Sequence, residues 1–198
     1  MYGFAVITAV LVGLGHRGVG YATYADSHPD ELQIVGIAEP DEARRNRYAE
    51  RFGVSSENCF ENAESLAATQ KFADVAINGT MDEIHIETTL PLLETGYDVL
   101  LEKPIAPSAE QLGLLEDAVE RTGRTVVICH VLRYAPFYAA IKERVAAGEI
   151  GEIMHVHTTE NVSYHHMAVA FIRGKWRRNE INPMLLAKCC HDLDLICW

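Results

Sequence analysis

Val99-Leu100-Leu101-Glu102-Lys103-Pro104-Ile105-Ala106 is the stretch on which the reading of this chain turns. Three apolar residues run straight into a carboxylate, an amine and a proline. Gly96 and Asp98 stand in front, and Pro107-Ser108 opens a helical pattern behind. A short apolar run bounded by turn residues is the pattern of a strand buried on both faces of a parallel sheet. In open parallel sheets ligands bind beyond the carboxyl ends of the strands, so Glu102 and Lys103 fall where a cofactor or substrate would sit. Pro104 fixes its own φ and biases Lys103 toward extended backbone, which gives the amine a defined direction. A cis Lys103-Pro104 bond is compatible with the sequence but not required by it. Standing alone, a solvated Glu-Lys pair at a strand end is the simpler reading, so the surroundings decide.

Upstream, Phe4 to Val12 is rich in Val, Ile and Ala and predicts a buried first strand. It runs into Gly13-Leu14-Gly15-His16-Arg17-Gly18, a G-x-G-x-x-G. The first glycine of such a loop permits a tight turn, the second lets backbone approach a pyrophosphate, and the third packs helix on strand. His16 and Arg17 fill the variable places and open a helical stretch reaching Ser27. Glycines also punctuate ordinary turns, so the motif gains weight from the strand before it and the helix after it. A second strand, Leu32 to Ala38, ends at Glu39, about 20 residues beyond Gly18, the spacing of the acid that holds the adenosine ribose hydroxyls. A carboxylate there repels a 2′-phosphate and favours NAD over NADP, although Arg44 and Arg45 follow closely and could soften the choice. The alternative makes Glu39 merely exposed, with Asp41 a helix N-cap.

Strand and helix then alternate. Helices are expected over 41–52, 63–68, 83–94 and 109–122, with Gly53, Gly96 and Gly123 as terminators. Strands are expected over 73–77 and 125–129, with the Glu-Lys-Pro strand between them. The pattern implies α/β architecture, a Rossmann-type doubly wound parallel sheet with right-handed crossovers. From His130 the style changes: a helix over 138–147, a strand over 153–159, a long polar loop over 160–178, and a helix from Pro183. We therefore expect a nucleotide-binding domain over 1–128 and the start of an α+β second domain over 129–198.

The last helix carries Lys188-Cys-Cys-His191-Asp192-Leu-Asp194. Lys188 and His191 are three apart and share a face. Cys189, Cys190, His191 and Cys197 suggest zinc, but adjacent helix residues point about 100° apart and do not close one tetrahedral site; core cysteines are the better reading. His155 and His157 share one face of the expected strand without a third ligand at useful spacing. No metal site is expected.

Together the glycine loop, Glu-Lys-Pro and Lys-x-x-His-Asp-x-Asp resemble the glucose–fructose oxidoreductase / inositol dehydrogenase (Gfo/Idh/MocA) family, along nearly the whole chain. The resemblance implies nicotinamide-dependent oxidation of a secondary alcohol on a sugar or polyol. Lys103 would stabilise charge on the reacting oxygen, and His191 would act as general base. It also implies a cofactor-facing loop after the third long strand, where Asn78, Thr80 and His85 are the matching residues. His85 is alternatively a helix-surface histidine, and Met81 stands where many members have proline. Lys188 or Asp194 would position substrate hydroxyls or tune His191. Many sugar-oxidising members carry Asp four residues before the histidine, where this chain has Ala187, and that leaves the substrate class more open. Arg-Tyr-x-Pro followed by Gly-x-Ile-Gly resembles the crossing into the family's second domain. Members continue well past the position of Trp198, so the resemblance implies a truncated second domain and a homo-oligomer at full length. The same fold also serves NAD-dependent glycosidases and non-catalytic nucleotide-binding paralogues.

Composition sets outer bounds. The chain has 198 residues, 48% of them hydrophobic, enough for one full domain and part of another. A net charge of −11 argues against a nucleic-acid partner. Five cysteines without framework spacing point to a reduced, cytoplasmic protein. The apolar first fifteen residues lack the basic start of a signal peptide, and no run reaches the roughly 20 residues of a membrane span.

Overall fold

The computed structural model describes residues 5–177 and 183–198. Phe4 of the expected first strand and Arg178 of the expected loop lie outside these residues. Two compact units divide the chain, residues 1–128 and 129–198.

The first unit carries a six-stranded, wholly parallel sheet. Its elements run β1 (Ile7–Val12), α1 (His16–Ala22), α2 (Tyr24–Ser27), β2 (Leu32–Ala38), α3 (Glu42–Phe52), β3 (Cys59–Phe60) and α4 (Ala63–Ala67). Then follow β4 (Val75–Asn78), α5 (His85–Thr95), β5 (Asp98–Leu101), α6 (Ala109–Thr122) and β6 (Val126–Ile128). The strand order is β3-β2-β1-β4-β5-β6. Order reverses between β1 and β4, so the crevice at their carboxyl ends is the switch point where open α/β sheets take ligands.

Alternation along the strands explains the two-sided cover. Val10, Val12, Ala76, Val99 and Leu101 pack with Leu66, Ile86, Leu92, Leu93 and Leu115 on one face. Ala9, Leu11, Ile34, Ile37 and Ile77 pack with Ala22, Tyr48, Ala49 and Phe52 on the other. A strand buried on both faces reads as a continuous apolar run, which is why β1 and β5 were legible. Helix ends follow local chemistry. Asp41 accepts from Arg44 N–H at the start of α3, and Gly53, Gly96 and Gly123 close α3, α5 and α6 at positive φ.

Some local details differ from the sequence expectation. Cys59–Phe60 forms a two-residue edge strand beside β2, too short to leave an apolar pattern. The first turn of the expected 83–94 helix is a tighter 3₁₀ turn, Asp82–Ile84, leading into α5. Pro183 stands just before, not within, the first turn of the last helix.

The second unit holds α7 (Pro136–Ala146), α8 (Tyr164–His166) and α9 (Met184–Cys197). The polar 160–178 segment contains α8, a wide π-type turn at Met167–Ile172 and a 3₁₀ turn at Lys175–Arg177. The expected strand over 153–159 does not form among the described residues, since no neighbouring strand there offers it a hydrogen-bonding ladder. His155 and His157 are therefore exposed chain rather than a paired strand face.

Candidate active site

The site of the first unit is built from the glycine loop, the end of β2, and the loops after β4 and β5. Gly13 has φ of +82°, and a Cβ there would lie 2.9 Å from Thr80 N. A Cβ on Gly18 would lie 2.2 Å from the Gly13 carbonyl oxygen. These two glycines are required by close packing. Gly15 differs: its Cβ would meet nothing nearer than Gly79 O at 3.8 Å. The backbone over Gly15 is thus open to a ligand, as a pyrophosphate cradle requires. Gly79, not singled out by the sequence, completes the packing, because a Cβ there would come within 2.8 Å of Gly18.

Glu39 is 4% exposed rather than a surface acid. Its Oε2 accepts from Leu14 N–H at 2.8 Å and its Oε1 from Asp41 N–H at 3.1 Å. Arg44 Nη1 reaches Oε1 at 3.4 Å, and Arg45 donates to the Glu39 carbonyl. The carboxylate therefore sits against the glycine loop, at the tip of β2, with acceptor capacity for a diol. The residues present fit a dinucleotide.

Glu102 stands at the carboxyl end of β5, where its side chain is engaged within the protein. Buried at 4% exposure, its Oε1 accepts from Arg17 Nε at 2.6 Å and from Tyr21 O–H at 2.7 Å, and its Oε2 accepts from Lys103 N–H at 2.6 Å. Glu102 is a brace between α1 and the backbone of Lys103. Arg17 Nη2 also donates to Tyr21 Oη at 2.7 Å while half its side chain stays exposed. Burial pulls the Arg17 guanidinium down, but Glu102 outweighs it and holds the pKa above the ordinary value. His16 is exposed at the start of α1.

Asn78 and His85 are both buried, which rules out the helix-surface alternative for His85. Asn78 is 1% exposed, donates through Nδ2 to Thr88 Oγ1 (2.8 Å) and Thr89 Oγ1 (2.9 Å), and accepts on Oδ1 from Thr80 Oγ1 (2.8 Å). It shapes the loop from within through these hydrogen bonds. His85 is neither a helix-surface residue nor open to the cleft: it is fully buried. Its Nδ1 lies 2.8 Å from Pro104 O and its Nε2 3.2 Å from Thr80 O. The ring ties the loop after β4 to the loop after β5. The Lys103-Pro104 bond is cis, and the Lys103 side chain is half-buried between these tethers.

In the second unit, Asp194 is engaged rather than open. Arg133 donates Nε and Nη2 to its two oxygens at 2.7 and 2.6 Å, and His130 Nδ1 lies 2.8 Å from Oδ1. Burial raises the Asp194 pKa, but the Arg133 hydrogen bonds and the His130 contact overcome it and hold the carboxyl below the ordinary range. His130 meets His191 edge to face, with ring centroids 6.0 Å apart. Lys188 is half-buried on α9, and Ala187 is buried. The sequence brought His191 and Asp194 forward; it gave no signal for His130 and Tyr21, whose roles arise from contacts distant in the chain. No group of three His, Cys, Asp or Glu able to hold a metal exists among the described residues, and none of the helices they form is long and apolar enough to cross a membrane.

Sheet, switch point and glycine cradle define a dinucleotide-binding Rossmann domain. Residues 7–130 match the model of the oxidoreductase family with an NAD-binding Rossmann fold, Gfo/Idh/MocA, and the chain belongs to that family. It is similar to inositol 2-dehydrogenase of Rubrobacter xylanophilus, 28% identical over 200 residues that cover 97% of this chain and 52% of that protein. It is also similar to scyllo-inositol 2-dehydrogenase (NAD(+)) of Bacillus subtilis, 28% identical over 151 residues, covering 74% of this chain and 42% of that one. Among solved structures, apo scyllo-inositol dehydrogenase from Lactobacillus casei shares the fold with a TM-score of 0.84 at 21% identity, covering 98% of this chain and 54% of that one. The chain thus spans about half the length of the relatives it matches.

Proposed function

We propose that this chain is the nucleotide-binding part of a dehydrogenase that oxidises a secondary alcohol of a polyol or sugar, with NAD preferred over NADP. The observation that carries the reading is the open backbone over Gly15 with Glu39 set against the same loop and Lys103 held at the end of β5. A bound nicotinamide would supply hydride acceptance. The backbone at Gly15 would take the pyrophosphate, on a loop that Gly13 and Gly18 close by packing, with Arg17 beside it. Glu39 would accept from the ribose hydroxyls, and its buried negative charge would disfavour a 2′-phosphate.

Lys103 would hydrogen-bond the alcohol oxygen and stabilise the negative charge that develops as hydride leaves. Its direction is set twice. Glu102 fixes its N–H, and His85 holds the carbonyl of the next residue. His191 would take the hydroxyl proton as general base. Lys188 would meet substrate hydroxyls, whereas Asp194 is already committed to Arg133 and His130. The inositol dehydrogenases among the relatives support a polyol substrate. The Lys103→Ala variant tests the reading: NAD-dependent oxidation of myo-inositol is expected to fall at least a hundredfold while NADH binding changes little. Full turnover in that variant would refute it.

A further inference from the structure

Two side chains of α1 meet the residue that precedes Lys103. Arg17 and Tyr21 stand four apart and share one face of the helix. Glu102 is buried and needs a partner for its charge, which the Arg17 guanidinium supplies at 2.6 Å. The Tyr21 hydroxyl closes the triangle. It donates to Glu102 Oε1 at 2.7 Å, and its oxygen accepts from Arg17 Nη2 at 2.7 Å. Three donors thus divide the carboxylate: Arg17 Nε and Tyr21 O–H take Oε1, and Lys103 N–H takes Oε2 at 2.6 Å. The Arg17 fork has five N–H groups, of which these contacts use one on Nε and one on Nη2. The same residue stands between Gly15 and Gly18 in the glycine loop, and half its side chain is exposed.

We infer that Arg17 and Tyr21 are positioning residues for Lys103, acting through Glu102, and that Arg17 couples a diphosphate on the glycine loop to the Lys103 backbone. The inference deepens the proposed dehydrogenase reading and rests on it. Every link lies within the first unit. A diphosphate at Gly15 draws on the exposed side of the guanidinium, and the motion reaches Nε. A buried carboxylate does not give up its counter-charge, so Glu102 Oε1 follows Nε, and the turning carboxylate shifts Oε2 against Lys103 N–H. Tyr21 limits that rotation, because its hydroxyl holds both partners at once. The Arg17–Glu102 pair carries no net charge, so the coupling runs through hydrogen-bond geometry rather than long-range attraction.

Hydrogen exchange followed by ¹⁵N NMR of the chain tests this, with Lys103→Arg assigning the Lys103 amide. In Tyr21→Phe the ring stays and the hydroxyl goes, so exchange at Lys103 N–H should quicken by at least about fivefold. Val99 N–H of the same strand, which donates to Thr125 O, should keep the parent rate. A merely structural role for Tyr21 would move both amides together. Inorganic pyrophosphate is the second probe. In the wild-type chain it should shift the amides of Gly15 and Lys103 with one midpoint. Glu102→Gln should keep the Gly15 response and lose that of Lys103. Its amide oxygen still accepts from Arg17 and Tyr21, whereas its nitrogen cannot accept from Lys103 N–H. Lys103 exchange unmoved in Tyr21→Phe, a Lys103 amide that ignores bound pyrophosphate, or a Lys103 response that survives Glu102→Gln would overturn the inference. Should Tyr21→Phe not fold, Glu102→Gln gives the same exchange comparison. Pyrophosphate that shifts neither amide would overturn the phosphate cradle instead, and the exchange comparison, which needs no ligand, still decides the positioning role.

Discussion

Replacing Gly18 by alanine separates packing from ligand contact in the glycine loop. The added Cβ would sit 2.2 Å from Gly13 O, where ordinary contact begins near 3.4 Å, so more than an ångström must be found elsewhere. The loop has little freedom to give it. Gly13 N–H donates to Ala38 O at 2.9 Å, Leu14 N–H to Glu39 Oε2 at 2.8 Å, and Gly79 N–H to Val12 O at 2.9 Å. Overpacking of this kind costs about 1–3 kcal/mol, which in a protein of this size lowers Tm by roughly 2–12 °C. Gly15→Ala is the control. Its Cβ meets nothing closer than 3.8 Å, so Tm should stay within about 1 °C of the parent. A methyl group in the cradle should nonetheless weaken NADH at least tenfold, about 1.4 kcal/mol. Thermal melting and NADH fluorescence titration of both variants give four numbers. Gly18→Ala melting like the parent, or Gly15→Ala binding NADH like the parent, would refute the division of roles.

Two further predictions concern the tethers. His85→Ala removes a fully buried ring and orphans Pro104 O, which should cost about 2–4 kcal/mol in urea unfolding; a loss below about 1 kcal/mol would contradict the tether. Asp194 and Asp74 both have pKa values below the ordinary aspartate range, Asp74 because Thr8 N–H and O–H donate to it and Asp194 because Arg133 and His130 outweigh its burial. The unfolded chain binds these protons first, so both contribute stability above about pH 4 that is lost as the pH falls through the folded values. Asp194→Asn should flatten the acid limb of a stability-against-pH curve, and an unchanged slope would count against the Arg133–Asp194–His130 cluster.

Much of the fold was legible because its strands are continuous apolar runs and its helices end at glycines that adopt positive φ. The glycine loop, Glu39 and the Glu-Lys-Pro strand end were legible for the same local reason. What escaped was anything set by distant pairing. A two-residue edge strand carries no period, and 153–159 alternates like a strand yet pairs with no strand among the described residues. Glu102 and Asn78 look like ligand residues in sequence, since polar groups at strand ends usually are. Their hydrogen bonds to Arg17, Tyr21, Thr88 and Thr89 become visible only once α1 and α5 are placed. His85 is the sharpest case: an imidazole at a helix start reads either as site-facing or as a surface residue until Pro104 O and Thr80 O are seen to close over it.

The central claim is that the cradle of Gly13, Gly15, Gly18 and Glu39 takes a nicotinamide dinucleotide and selects the one without a 2′-phosphate. Titration of the chain with NADH and NADPH side by side, followed by nucleotide fluorescence, tests it most directly. Saturable NADH binding at least tenfold tighter than NADPH binding is the predicted result. A folded chain that binds neither nucleotide, or binds NADPH more tightly, would contradict the account.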